Sequence, residues 1–149
     1  MRDTITAALQ AATKARDARR VSTLRLMAAA IKDRDIAART AGKEQATDAE
    51  LLELLSKMIK QREESQKIYA EAGRTELAEQ EGEEVVIIRE FLPKQLSDAD
   101  TAKAIDEAIA EVGASSIRDM GKVMGALKAR YAGQMDFGKA SGAVKAKLG

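Results

Sequence analysis

The sequence predicts an all-α protein: an N-terminal helical bundle followed by a small three-helix C-terminal domain. Alanine, leucine, glutamate, lysine and arginine dominate the composition, and these residues lose little on entering a helix. Aromatic residues make up only 3% of the chain. Apolar residues recur at three- and four-residue spacing rather than alternating, which is the helical period. The single proline, Pro93, separates a longer helical region from a shorter one.

The first helix is expected from Asp3 to about Ala18, with Ile5, Ala8, Leu9 and Ala12 along one side. The second covers about Arg19 to Arg39. Val21, Leu24, Ala28 and Ile31 form its buried stripe, widened by Leu26, Met27 and Ala30. Neither proline nor glycine separates these two helices, so the pattern fits a continuous or a kinked pair; Gly42 ends the region. Thr47-Asp48-Ala49-Glu50 is a capping box, in which threonine and glutamate satisfy each other's backbone N–H groups. The third helix it opens carries Leu51, Leu54, Leu55, Met58 and Ile59 inward and reaches Ala72 before the stop at Gly73. The fourth spans about Thr75 to Phe91. Leu77, Val85, Ile88 and Leu92 face inward, Val86 and Ile87 flank them, and Gly82 is a point of weakness or bending.

Pro93 forbids continuation, because it has no N–H and restricts Leu92. The boundary falls at residues 93–96, giving domains 1–93 and 97–149. Ser97 caps a fifth helix that ends near Val112, and Gly113 is free to take the left-handed conformation that closes it. Ser116 and Asp119 fit a second capping box. Met120, Val123, Met124, Leu127 and Tyr131 then form one apolar stripe. Gly121 and Gly125 share a face on this sixth helix, each costing about 1 kcal/mol relative to alanine, so a packing or binding reason is expected for them. Asp136 caps a last helix from Phe137 to about Leu148, with Ala140, Val144 and Leu148 as its buried edge.

Several chemistries are excluded by composition. With no cysteine, there is no disulfide and no thiolate metal site. With no histidine, the commonest general base and metal ligand is missing. No apolar run approaches a membrane span, and the N-terminus lacks the apolar core of a signal peptide, so a cytoplasmic protein without membrane contact is expected. No Walker-type loop is present. The carboxylate pairs Glu63-Glu64 and Glu83-Glu84 read as solvated helix faces, since neighbouring residues point about 100° apart. No catalytic constellation, metal site or cofactor site is visible.

The net charge of +1 conceals segregation. Residues 1–40 hold nine Lys/Arg against four Asp/Glu, residues 41–96 eight against thirteen, residues 97–112 one against five, and residues 113–149 seven against two. Both ends are basic and the middle is acidic. Arg118, Lys122, Lys128, Arg130, Lys139 and Lys145, with Lys147, lie on the last two helices. If these helices pack antiparallel, their cations share one side, the arrangement that phosphate and shape readout of a folded RNA requires. Stacking aromatics are too scarce for sequence-specific reading of a single strand. A second basic run lies along Arg16, Arg19, Arg20 and Arg25. The acidic segment containing Glu79, Glu81, Glu83 and Glu84 supports a rival reading, a protein–protein adaptor with no RNA contact.

Three separated motifs occur in order: Phe91-Leu92-Pro93-Lys94-Gln95-Leu96-Ser97, Glu111-Val112-Gly113-Ala114-Ser115 and Met120-Gly121-Lys122-Val123-Met124-Gly125. Together they resemble the GatB/YqeY family, and the likeness runs over nearly the whole chain. That family includes a short stand-alone YqeY type, whose length this chain matches. It also includes the C-terminal tail of the B subunit of the glutamine-dependent tRNA amidotransferase, the part that engages tRNA while chemistry resides elsewhere. The resemblance implies a non-catalytic tRNA-binding accessory module. The family label that would accompany it is a carbon–nitrogen ligase with glutamine as amido-N-donor. A Ser–Ser–Lys amidase site at Ser115, Ser116 and Lys122 is not supported, because the glycine-serine-rich flanks of such enzymes are absent.

Overall fold

The computed structural model describes all residues, 1–149. It contains seven α-helices and no strand: α1 (Arg2–Ala15), α2 (Ala18–Thr40), α3 (Asp48–Glu71), α4 (Thr75–Arg89), α5 (Asp98–Val112), α6 (Met120–Tyr131) and α7 (Phe137–Leu148). A 3-10 turn, Ile117–Asp119, precedes α6. No helix is long and apolar enough to cross a membrane. The chain divides into two compact units, Met1–Pro93 and Lys94–Gly149.

The first unit holds α1 to α4 around Ile5, Leu24, Met27, Ile31, Leu51, Leu55, Ile59 and Ile88, all buried. Each such side chain contributes roughly 1.5–3 kcal/mol by leaving water. Leu77 and Leu92 are only half-buried, and Ala78 and Ile87 take the inward positions on α4, while Val86 is 65% exposed. Helix α4 is continuous through Gly82. A Cβ there would stand 2.8 Å from the Gln66 side-chain amide on α3, which would have to shift to admit it.

The break between α1 and α2 comes earlier than the apolar pattern suggests. Arg16 adopts the left-handed conformation, φ 57°, and is the one non-glycine residue in the chain to do so. Its N–H donates to the Thr13 carbonyl and the Asp17 N–H to the Ala12 carbonyl, the bonding of a Schellman cap. Asp17 then caps α2 by accepting from the Arg20 N–H. The same paired bonds close α2, α3 and α5, with Gly42, Gly73 and Gly113 in the position Arg16 occupies. The Thr47 capping box forms as the sequence indicates. Below it, Asp35 accepts from Arg2 at 2.6 Å and from the Ala46 N–H at 2.9 Å, tying α1, α2 and the start of α3 together.

One carboxylate in the acidic segment is buried and a second is partly withdrawn from water. Glu84 is 6% exposed and pairs with Arg62 at 3.2 Å across α3 and α4. The Arg62 guanidinium also donates to the Met58 carbonyl. Glu81 lies half-buried beside this pair; burial, and then the Glu84 charge, raise its carboxyl above the usual range, with Arg62 opposing.

The second unit packs α5, α6 and α7 around Ala104, Ile105, Ala108, Val123, Leu127, Met135, Ala140 and Val144. Its lead-in segment is tied to the α6–α7 turn. The Leu96 N–H donates to the Gln134 carbonyl at 2.8 Å, and the Gln95 side chain donates to the Gly133 carbonyl.

Two outcomes test this account. Arg16→Gly should stabilise the protein by about 0.5–1 kcal/mol, because it removes left-handed strain at an exposed position. A melting temperature at or below wild type would show that the Arg16 side chain matters more than its backbone. Arg62→Met should destabilise by about 3 kcal/mol, since Glu84 is left buried and unpaired. Replacing both residues with methionine should recover most of that loss in chemical denaturation. Equal losses in the single and double variants would mean that the unpaired charge is not the cause.

Candidate nucleic-acid interface

Helices α6 and α7 are joined by the turn 132–136 and form the basic half of the second unit. Residues 94–149 carry nine basic and seven acidic side chains, and five of those seven acids lie on α5. The sequence therefore places acid on one helix and base on the other two.

Packing then sorts the cations. Arg130 on α6 pairs with Glu111 on α5, and Lys147 on α7 pairs with Asp106 on α5. The Glu111 carboxyl is held below its usual range by the Arg130 guanidinium. These two cations face α5 and are neutralised by it. Lys128 and Lys145 each stand two residues from one of them, about 200° around their helices. They therefore lie on the side of the α6–α7 pair turned away from α5. Arg118, Lys122, Lys128, Lys139 and Lys145 are all exposed and have no carboxylate within ion-pair distance. Lys139 stands in the first turn of α7, where the helix dipole disfavours a cation. Of the six residues singled out in the sequence, five keep free charge and Arg130 does not.

The glycines complete this surface. Gly121 and Gly125 are exposed, and a Cβ at either would meet nothing within 4 Å. No packing within the chain explains them. Gly121, Gly125 and Lys128 follow the i, i+4, i+7 progression and share one line on α6, while Lys122 stands about 60° around the helix from Gly125.

The start of α6 is fixed by Asp119. Its carboxylate accepts from the Ser115 N–H at 3.0 Å and the Ser116 N–H at 3.4 Å. These bonds, first from Ser115 and then from Ser116, hold its carboxyl below the usual range, aided by the Lys122 charge. Ser115 and Ser116 thus serve a helix cap. No group of three or more acidic side chains is gathered so that it could hold a metal ion. In the first unit, an open depression of about 430 Å³ is bounded by Met1, Leu52, Phe91 and Pro93, with Asp48 and Glu90 at its edge. Glu90 is engaged there by Arg20 at 2.5 Å.

Sequence reasoning found the cations by type and position. It missed the pairing of Arg130 and Lys147, which depends on how α5 packs and has no local signature.

Seven helices, no strand and two compact helical units make this a small all-helical protein. It belongs to the family described as Yqey-like protein, whose profile matches residues 2–148. No curated protein matches the chain.

The Asp119 cap has a pH signature. Because the carboxyl is lowered in the folded state, its contribution is fully present above the ordinary aspartate value near 3.9 and is lost as pH falls through the lower folded value. Asp119→Ala should lower the melting temperature at pH 7, and the gap from wild type should narrow below about pH 4. A gap unchanged down to pH 3 would exclude the ionised carboxylate as the capping group.

Proposed function

We propose that this protein is a non-catalytic accessory module that binds tRNA through the outer surface of α6 and α7, in a role related to glutamine-dependent tRNA amidation. The observation that carries the reading is the set of five exposed, unpaired cations, Arg118, Lys122, Lys128, Lys139 and Lys145, beside the bare glycine backbone of α6. Side-chain-free backbone lets a phosphate chain approach closely, and exposed cations supply the counterion-release term that dominates nucleic-acid affinity. With two tyrosines and two phenylalanines in the whole chain, recognition rests on phosphate and shape rather than base stacking. The resemblance of the Phe91–Ser97 and Met120–Gly125 motifs to the tRNA-engaging tail of the amidotransferase B subunit supports tRNA as the RNA class. The carbon–nitrogen ligase label is inherited from that relationship, since no residues here are arranged for the chemistry.

The adaptor reading is weaker. Glu84 is buried against Arg62 and Glu83 pairs with Arg19 at 3.1 Å, so two of the four glutamates that motivate it are engaged within the fold.

The test is salt-dependent binding of unfractionated tRNA to the full chain. Lys122→Glu with Lys128→Glu should weaken binding at least tenfold and reduce the slope of log affinity against log salt by about 1.4–1.8, at unchanged thermal melting. Wild-type affinity and slope in this variant would overturn the assignment. Purified protein supplied with glutamine, ATP and misacylated tRNA should release no ammonia; release would make it an enzyme.

A further inference from the structure

We propose that the outer face of α2 is a second phosphate-contact surface, built from Arg25, Lys32 and Arg39; this rests on the reading that the ligand is RNA. The argument begins with how the structure disposes of the basic excess in residues 1–40. Arg2 closes on Asp35 and the Ala46 carbonyl, Arg19 on Glu83, Arg20 on Glu90 and Arg34 on Glu50. These cations hold the first unit together. The run Arg16, Arg19, Arg20, Arg25 is therefore not a free basic surface, because its two middle members are committed to α4.

What remains on α2 has a regular spacing. Arg25, Lys32 and Arg39 are seven residues apart, so each lies within about 20° of the last around the helix. The three form one line about 21 Å long at 1.5 Å per residue. All three are exposed and none has a carboxylate partner. The Arg39 guanidinium donates to the Glu44 carbonyl at 3.3 Å, which steadies the side chain without cancelling its charge. The inward face of α2, with Leu24, Met27, Ile31 and Ala38, lies elsewhere around the helix. Two carboxylates on this helix are engaged: Asp17 caps α2, and Asp35 holds Arg2 and the Ala46 N–H while its charge also acts weakly on Arg39. Asp33 is exposed beside the line, about 100° around from Lys32, and is the one free acid on this helix.

A line of single cations at regular intervals is too long for one small anion and suits an extended array of them. A phosphate backbone is such an array. Leu26 and Ile36, both about half-exposed on α2, stand ten residues and about 80° apart and form no continuous apolar stripe that would anchor the helix in a lipid interface.

The experiment compares three full-length proteins binding unfractionated tRNA between 50 and 300 mM salt: wild type, Arg25→Gln with Lys32→Gln, and the α6 variant above. The α2 variant should bind about 10–100-fold more weakly, with a slope shallower by about 1.4–1.8, and Arg25→Lys with Lys32→Arg should restore both. Wild-type binding by the α2 variant, with binding lost in the α6 variant, would overturn the second surface and leave the RNA reading intact. Absence of tRNA binding by wild type at 50 mM salt would overturn both. Wild-type binding to vesicles containing phosphatidylserine, lost in the α2 variant and without tRNA binding, would reassign the line to an anionic membrane surface. Failure of the charge-conserving pair to restore binding would show that the effect is structural and would overturn the proposal.

Discussion

In a chain whose composition favours helix almost everywhere, each helix has to be stopped. Propensity alone would let α1 run into α2, and no proline intervenes until Pro93. The stops are made by backbone bonds closing onto residues with positive φ, three glycines and Arg16. Restarts are made by side-chain oxygens at Asp17, Thr47, Ser97 and Asp136. Core packing depends on these points. Helices α1 to α4 bury Leu24, Leu51 and Ile88 together only because the chain reverses where it does.

Ion pairing follows from that geometry and decides what charge is left for anything else. The cations at Arg2, Arg19, Arg20, Arg34 and Arg62 meet carboxylates from distant parts of the first unit, and those at Arg130 and Lys147 meet α5 in the second. Apart from the buried Arg62–Glu84 pair, such pairs contribute little stability individually. Their effect is electrostatic sorting: Glu50, Glu63, Glu83, Glu84 and Glu90 are engaged by arginines, while other acids of the middle segment, such as Glu53, Glu76 and Glu79, stay exposed. Arg25, Lys32 and Arg39 on α2, Lys122 and Lys128 on α6, and Lys139 and Lys145 on α7 have no such partner.

Much of this was legible beforehand, and the reasons are local. The capping box at Thr47 and Glu50, the glycine stops and the apolar stripe from Met120 to Tyr131 each lie within a few residues of one another, so the sequence alone specifies them. Arg16 was not legible, because left-handed backbone at a non-glycine residue has no compositional sign; the Asp17 cap after it was the available clue. Glu84 was not legible either. It stands in a run of glutamates that looks solvated, and only the packing of α3 on α4 encloses it against Arg62. At the candidate interface the cation types were evident, whereas the loss of Arg130 to Glu111 required the packing of α5.

The exposed glycines of α6 also bear on motion. A twelve-residue helix is marginal by itself, and Gly121 and Gly125 together remove about 2 kcal/mol of intrinsic propensity relative to alanine. Val123 and Leu127 anchor its inner side, but its outer side has no side chains to shield the backbone hydrogen bonds at the glycines. Helix α7, also twelve residues with two exposed glycines, shares this weakness, so the two basic helices of the second unit are both open to solvent exchange. A ligand lying along the glycine side of α6 would cover those bonds and order the helix as it binds, turning poorly shielded backbone into protected backbone.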